Sequence, residues 1–292
     1  MPSASAAPAE LPGDAGPAGV EPTDLYGALA ACLAADTVEL KLARVASLAR
    51  RFSDGGAGAN PDLVAPAICT PGRPPTPRMV LPRDVAQRGL GSEAGRAALL
   101  HAVAHIEFNA IDLALDAAYR FRDLPDAYRA DWISVAADEA RHFSLLAARM
   151  ADMGMAYGDL PAHNGLWEMA EKTAHSCTAR MALVPRVLEA RGLDVTPGMI
   201  ARLRGVGDTA SVHVLATILE EEVRHVAIGS HWFAWCCARD GLDPDATFLE
   251  LARAEARGAI RGPFNLPARA AAGFAPAEMQ ALIAWADTEV RR

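Results

Sequence analysis

Two matching five-residue motifs constrain this chain more than any other feature. DEARH ends at His142 and EEVRH ends at His225, and each places a glutamate three residues before its histidine. On an α-helix, residues three apart lie on one face about one turn from each other. Glu139 with His142, and Glu222 with His225, therefore each present a carboxylate and an imidazole in the same direction. The chain is expected to contain two helices whose functional faces point at a shared centre.

Glu-x-x-His on two helices is the general pattern of bundles that bind two metal ions, in which each of two further helices adds one glutamate. A helix hairpin turning at 122–125 has arms of nearly equal length on either side of the turn, so that Glu107 lies level with Glu139. A second hairpin, turning at 204–208, places Glu189 level with Glu222 in the same way. The six predicted ligands are Glu107, Glu139, His142, Glu189, Glu222 and His225.

The residue types fit this chemistry. Four carboxylates carry a charge of about −4, which two divalent cations balance, and oxygen with imidazole ligands suits iron or manganese. Asp138 and Glu221 each precede a ligand glutamate, and they are predicted to hydrogen-bond a metal-bound histidine across the bundle. The alternative is that these two acids are solvated and pair with Arg141 and Arg224.

Composition limits the class of protein. The net charge of −8 argues against bulk nucleic acid and anionic membranes as main partners. No uninterrupted apolar run reaches the length of a membrane span. The N-terminus lacks the features of a signal peptide, and the five cysteines show no zinc or CxxC spacing. A cytoplasmic protein with reduced thiols is expected.

The chain divides into four segments by composition and periodicity. Residues 1–22 predict a disordered tail. Residues 23–95 predict an N-terminal helix followed by a Pro- and Gly-rich segment that wraps the surface. Residues 96–240 have helical periodicity without a strand pattern and predict the di-metal bundle, with its third helix interrupted at GLDVTPG. Residues 241–292 predict a C-terminal helical tail packed on the bundle. The predicted fold is all-α: two antiparallel helix hairpins joined by one long crossover, with these two additions.

Several stretches resemble a ferritin-like family catalogued as domain of unknown function 455. They are HIEFNAIDLALDAAYRF, DEARHFSLLAARM, LWEMAEKTAH, ALVPRVLEARGLDVTPG and EEVRHVAIG. The resemblance covers residues 24–280 and implies a ferritin-like four-helix bundle. A more distant similarity, to tRNA isopentenyladenosine hydroxylases and other di-iron carboxylate proteins, implies the same six ligands. This chain departs from the hydroxylases by its EEVRH motif and its long terminal additions.

The leading functional hypothesis is a non-haem di-metal oxidoreductase that activates dioxygen to oxidise or hydroxylate an organic substrate, either a small molecule or a modified nucleoside. It requires a separate electron donor, because the chain has no flavin or iron–sulfur motif of its own. The alternatives are a rubrerythrin-like peroxide reductase or iron-handling protein, and a non-enzymatic metal-stabilised helical scaffold. A homodimer is compatible with each of them.

Two further features are relevant to function. Aromatic residues such as Tyr157 and Trp232 are predicted to be packing residues, although one of them close to a di-metal site can carry an electron. A cluster of arginines in the C-terminal tail is predicted either to hold an anion or to form a solvated helix face. Its members are Arg253, Arg257, Arg261 and Arg269.

Overall fold

The computed structural model describes residues 24–53, 68, 70–86 and 88–290. Eleven α-helices are assigned within this part of the chain. They are α1 (Leu25–Leu33), α2 (Val38–Ser53), α3 (Glu93–Arg120), α4 (Asp126–Asp152), α5 (Gly165–Lys172), α6 (Cys177–Leu183), α7 (Ala190–Gly205), α8 (Thr209–Asp240), α9 (Pro244–Glu255), α10 (Leu266–Ala271) and α11 (Pro276–Val290). The predicted disordered tail at 1–22 lies outside the described residues, as do residues 54–67 of the predicted wrapping segment.

The described residues form an all-α helical bundle, which confirms the predicted fold class. Helix α3 packs against α4, and α7 packs against α8, so that each pair is an antiparallel hairpin; α4 also contacts α8. The hairpin arms begin at defined caps. The side chain of Ser92 accepts a hydrogen bond from Gly95 N, and that of Asp208 accepts one from Ser211 N, which satisfies backbone donors left free in a first helical turn.

The third arm of the bundle differs from its prediction. Helix α6 is followed by a π-helical segment, Val184–Glu189, and then by α7. The predicted interruption at GLDVTPG is wrong, because α7 continues through Pro197. A proline inside a helix leaves the carbonyl four residues earlier without its usual donor. Here that carbonyl, Leu193 O, accepts a hydrogen bond from Asn265 Nδ2 at 3.1 Å. The C-terminal tail thus supplies a hydrogen-bond donor in place of the backbone N–H that Pro197 lacks.

The N-terminal additions cover the outer side of the first hairpin. Helix α1 packs on α3, and α2 packs on α4. Lys41 of α2 is fully buried and forms an ion pair with Asp112 of α3 at 2.5 Å. Residues 70–86 run across the surface, where Arg73 donates a hydrogen bond to Asn109 and Val80 N donates one to Ala162 O. An isolated bridge between Met79 and Ala162 is the only strand-like pairing in the described residues.

The C-terminal helices pack on the second hairpin. Helix α9 contacts α6 and α8, and α10 contacts α7 and α8. The predicted arginine cluster does not form as one surface. Arg269 is buried and binds both carboxylate oxygens of Asp194, at 3.0 and 2.7 Å, whereas Arg253, Arg257 and Arg261 are exposed. Arg269 therefore joins the tail to α7 and is not available to an external anion.

By length and composition, α3 is the one described helix that can span a membrane. However, 78% of its apolar window is buried within the fold. Burial of this kind is what the central helix of a helical bundle requires.

Candidate metal centre

Two imidazoles and three carboxylates meet between α3, α4 and α8. His225 Nδ1 lies 2.9 Å from Glu139 Oε1 and 3.3 Å from Glu222 Oε1. His142 Nδ1 lies 3.3 Å from Glu107 Oε2, 3.4 Å from Glu139 Oε2 and 3.6 Å from Glu222 Oε1. Both histidines are fully buried. Helical spacing thus places each Glu-x-x-His pair on one face, and the antiparallel arrangement of α4 and α8 brings the two faces together.

This cluster can hold a metal ion. One ligand atom from each of Glu139, His142, Glu222 and His225 lies within 4.8 Å of every other. Such a spacing allows several atoms to reach one cation, since protein nitrogen and oxygen ligands bind at about 2.0–2.2 Å in zinc sites and at similar lengths in those of other divalent first-row metals.

The outer nitrogen of each histidine bonds to an acid on the opposite helix. His142 Nε2 of α4 lies 2.7 Å from Glu221 Oε2 of α8. His225 Nε2 of α8 lies 3.2 Å from Asp138 Oδ2 of α4. With its Nε2 proton donated to a carboxylate, each imidazole directs Nδ1 at the glutamates. The two acids therefore orient both imidazoles towards the interior.

Two arginines cover the same acids from the solvent side. Arg141 forms ion pairs with Asp138 of its own helix and with Glu221 of α8. Arg224 donates to Asp138 at 2.5 Å. The pairing with arginines and the hydrogen bonds to the histidines, which are alternatives in the sequence, thus occur together. The result is a layer of alternating charge over the histidine side of the cluster.

Glu189 is placed differently from the other five predicted ligands. It ends the π-helical segment, and its Oε2 atom is buried without a hydrogen-bond partner. Its position depends on the close contact between this segment and α8. A Cβ added at Gly229 would lie 2.3 Å from Pro185 Cβ, so only glycine permits this approach. π-Helical turns are frequent at functional sites, and this one directs Glu189 towards the cluster.

Electrostatics link Glu189 to the other acids. Burial, together with the charges of Glu222 and Glu139, raises the pKa of Glu189 to about 8. Burial also raises the pKa of Glu107 well above its ordinary value, with a further contribution from Glu139. Carboxylates crowded together in a dry interior resist ionisation because each negative charge disfavours the next.

The neighbouring acids favour the charged form of both histidines. Burial alone would lower the pKa of His225, but Glu139, Asp138 and Glu222 outweigh that effect and raise it to about 12. The pKa of His142 is raised in the same manner, because its contacts with Glu107, Glu139 and Glu222 outweigh burial. Without a metal the cluster is held by protons on its histidines, and a cation can replace these protons.

Four buried polar atoms of the site lack a hydrogen-bond partner among the described residues: Glu139 Oε2, His142 Nδ1, Glu189 Oε2 and His225 Nδ1. Buried polar atoms are otherwise almost always satisfied. All four belong to predicted ligands, and their chemistry, two carboxylate oxygens and two imidazole nitrogens, is that of a divalent-cation site. The donor set therefore fits a metal.

Sequence reasoning did not find the features that position Glu189. Neither the π-helical segment nor its contact at Gly229 was predicted, although Pro185 and Gly229 are both visible as residues unusual in helix interiors. The other histidines of α3 bond to residues outside the cluster. His105 Nδ1 bonds to the hydroxyl of Tyr157 at 2.9 Å, and His101 Nε2 accepts from Gly158 N at 3.0 Å.

Comparison with known proteins identifies the family of the chain but assigns it no activity. Residues 34–280 match a family model described as "Protein of unknown function (DUF455)". A relative from Haemophilus influenzae, named "Uncharacterized protein", is 46% identical over 213 residues, which cover 70% of this chain and 74% of the relative. No solved structure matches.

Proposed function

Because the chain belongs to the DUF455 family of proteins of unknown function, its activity has to be inferred from the site, and we propose that it is a ferritin-like di-metal oxidoreductase. The observation that carries the proposal is the convergence of both Glu-x-x-His pairs, with Glu107, on one buried centre whose inward atoms lack partners. The proposed reaction is the oxidation or hydroxylation of an organic substrate by dioxygen.

The proposed ligands are Glu107, Glu139, His142, Glu189, Glu222 and His225. Two divalent ions, iron or manganese, would neutralise the four carboxylates of this set. When bound, such a pair supplies one-electron redox chemistry and open coordination positions for dioxygen. A scaffold has no need for four acids and two histidines in its interior, since each buried charge is costly to desolvate.

The surrounding residues prepare the site in three ways. Asp138 and Glu221 hold the Nε2 protons of the histidines, so that Nδ1 is available to a cation. Burial raises the pKa values of these two acids, but hydrogen bonds from the histidines and from Arg141 and Arg224 outweigh it, so that both acids stay ionised. Phe108 and Phe143, which are buried beside ligands, exclude water from the interior. Exclusion of water strengthens each electrostatic contact in the site.

The proposal includes a separate electron donor, because two-metal oxygen chemistry consumes electrons that an organic substrate does not fully supply. The four described cysteines are free thiols, which supports a reducing, cytoplasmic location. A small molecule or a modified nucleoside remains the proposed substrate class.

The first test is metal content. Wild-type protein expressed with iron and manganese is expected to contain about two metal ions per chain, measured by mass spectrometry. Glu139→Ala and Glu222→Ala are expected to lose them. Glu220→Ala, which removes an exposed carboxylate of the same helix, is the matched control. Metal content that is unchanged in both ligand variants would overturn the proposal.

A second measurement tests the reaction class. The metal-loaded protein supplied with a chemical reductant is expected to consume dioxygen, and the two ligand variants are expected not to. Consumption of peroxide without consumption of dioxygen would instead establish the peroxide-reducing alternative.

A further inference from the structure

Four aromatic rings form a continuous row from the surface of α8 into the bundle. Trp235 is half-buried on α8, and its ring centroid lies 5.8 Å from that of Trp232. Trp232 lies 5.1 Å from Tyr128 of α4, and Tyr128 lies 6.2 Å from Trp132 of the same helix. The last three rings are almost completely buried. We call this set, Trp235, Trp232, Tyr128 and Trp132, the aromatic row.

Two rings of the aromatic row lie on the same helices as proposed metal ligands, two turns away from them. Trp132 precedes Glu139 by seven residues on α4, and Trp232 follows His225 by seven residues on α8. Seven residues are two turns of helix, or about 10 Å along the axis. Because α4 and α8 run antiparallel, both separations extend towards the same end of the bundle. Both α4 and α8 therefore connect the row to the site.

We infer that the aromatic row carries electrons from a protein partner, a reduced flavin or iron–sulfur carrier, to the metal centre. This inference rests on the proposed function and identifies where its electron donor acts. One electron would leave the reduced cofactor of the carrier and one would reach the metal centre by tunnelling through the four π-systems. No ring is itself oxidised or reduced, so that the row has no net change in electrons or protons.

The contacts of the row support this role. The indole N–H of Trp232 donates to Asp131 Oδ2 at 2.8 Å, which fixes the orientation of this ring within the row. The phenol of Tyr128 lies 3.6 Å from Cys177 Sγ, and burial raises its pKa well above the ordinary value. Tyr128 therefore keeps its proton and couples the two indoles electronically as a neutral phenol.

The outer end of the row offers a surface suited to a transient partner. The guanidinium of Arg239 lies 5.3 Å from the Trp235 ring centroid, and it pairs with Asp123 at 2.9 Å and Asp240 at 2.8 Å. Exposed charges of both signs around a partly buried aromatic ring are typical of small, reversible interfaces.

The test compares two matched tryptophan variants. Trp232→Phe removes an indole from the row, and Trp167→Phe removes a buried indole that packs with Leu113, Ala170 and Val184, outside the row. Metal content and thermal stability are measured first in all proteins. In metal-loaded protein, Trp232→Phe is expected to slow reduction of the oxidised centre by a reduced flavoprotein about ten-fold or more, followed by absorbance. Trp167→Phe is expected to retain the wild-type rate.

A second measurement needs no metal. A photo-oxidant is attached to Ala238→Cys, an exposed position one turn from Trp235, in a Cys69→Ser background. Flash oxidation of metal-free protein is expected to produce an indole radical whose yield and decay change in Trp232→Phe and Trp132→Phe but not in Trp167→Phe. Unchanged radicals in both row variants would overturn the inference while leaving the metal proposal intact. Loss of metal binding in wild-type protein would instead overturn the proposed function.

Discussion

His142 Nε2 of α4 lies 2.7 Å from Glu221 Oε2 of α8, a hydrogen bond that crosses between the two halves of the site. Because Glu221 also pairs with Arg141, one acid fixes both the histidine and the charge above it. The equivalent acid on the other helix, Asp138, does the same for His225 and Arg224. Each motif therefore orients the histidine of the other.

Replacement of Glu221 should weaken metal binding without removing a ligand. Glu221→Ala is expected to lower metal affinity by about 10–100-fold, because the acceptor that orients His142 is lost. Glu221→Gln keeps an acceptor oxygen but loses the charge and should have a smaller effect. Affinity is measured by anaerobic competition with a chelator, and Glu220→Gln, an exposed neighbour, is the control. Equal affinities in all variants would contradict the assigned role of Glu221.

Glu189 should make the metal-free protein less stable as pH rises. Its pKa is about 8 in the folded chain against an ordinary value of 4.5, chiefly through burial, so the folded state binds this proton more tightly. The free energy of unfolding contributed by Glu189 therefore falls between about pH 4.5 and pH 8 and is constant above that range. Urea unfolding across this range is expected to show a shallower decline in Glu189→Gln. Glu171→Gln, which alters an exposed acid, should retain the wild-type slope.

Gly229→Ala should destabilise the contact between α8 and the π-helical segment. The added Cβ would lie 2.3 Å from Pro185 Cβ, and overpacking of this kind costs about 1–3 kcal/mol. The displacement would also move Glu189, so metal content is expected to fall. Gly198→Ala in α7 meets no atom within 4 Å, and it should increase the free energy of unfolding by up to about 1 kcal/mol. Similar stabilities of the two variants would refute the close-contact explanation.

A double-mutant cycle tests how α7 tolerates its proline. Asn265→Ala removes the donor to Leu193 O and is expected to cost about 1–3 kcal/mol of unfolding free energy, because a buried carbonyl loses its partner. Pro197→Ala restores a backbone N–H that can donate to the same carbonyl. In the Pro197→Ala background, the cost of Asn265→Ala should therefore shrink. Strict additivity of the two substitutions, measured by denaturant unfolding, would show that Asn265 does not compensate for Pro197.

The last helix of the bundle, α8, could be predicted closely from the sequence. Helix α8 spans Thr209–Asp240, and its bounds have a local cause, because an Asp cap and an uninterrupted apolar period define it. The interruption predicted in α7 failed for a non-local reason. Asn265, 68 residues after Pro197 along the chain, satisfies the carbonyl that the proline leaves free.

The sequence by itself determined that two Glu-x-x-His pairs lie on helix faces, because three residues of α-helix always return a side chain to the same side. It also predicted the level of each glutamate, since hairpin arms of equal length bring equivalent positions together. Only the tertiary structure decided that the acids of the two motifs bond the histidines and pair with the arginines at the same time, and that Glu189 ends a π-helical segment seated on Gly229. It alone brought Trp232 and Trp132 into one aromatic row, because these contacts join helices whose separation and rotation depend on packing throughout the bundle.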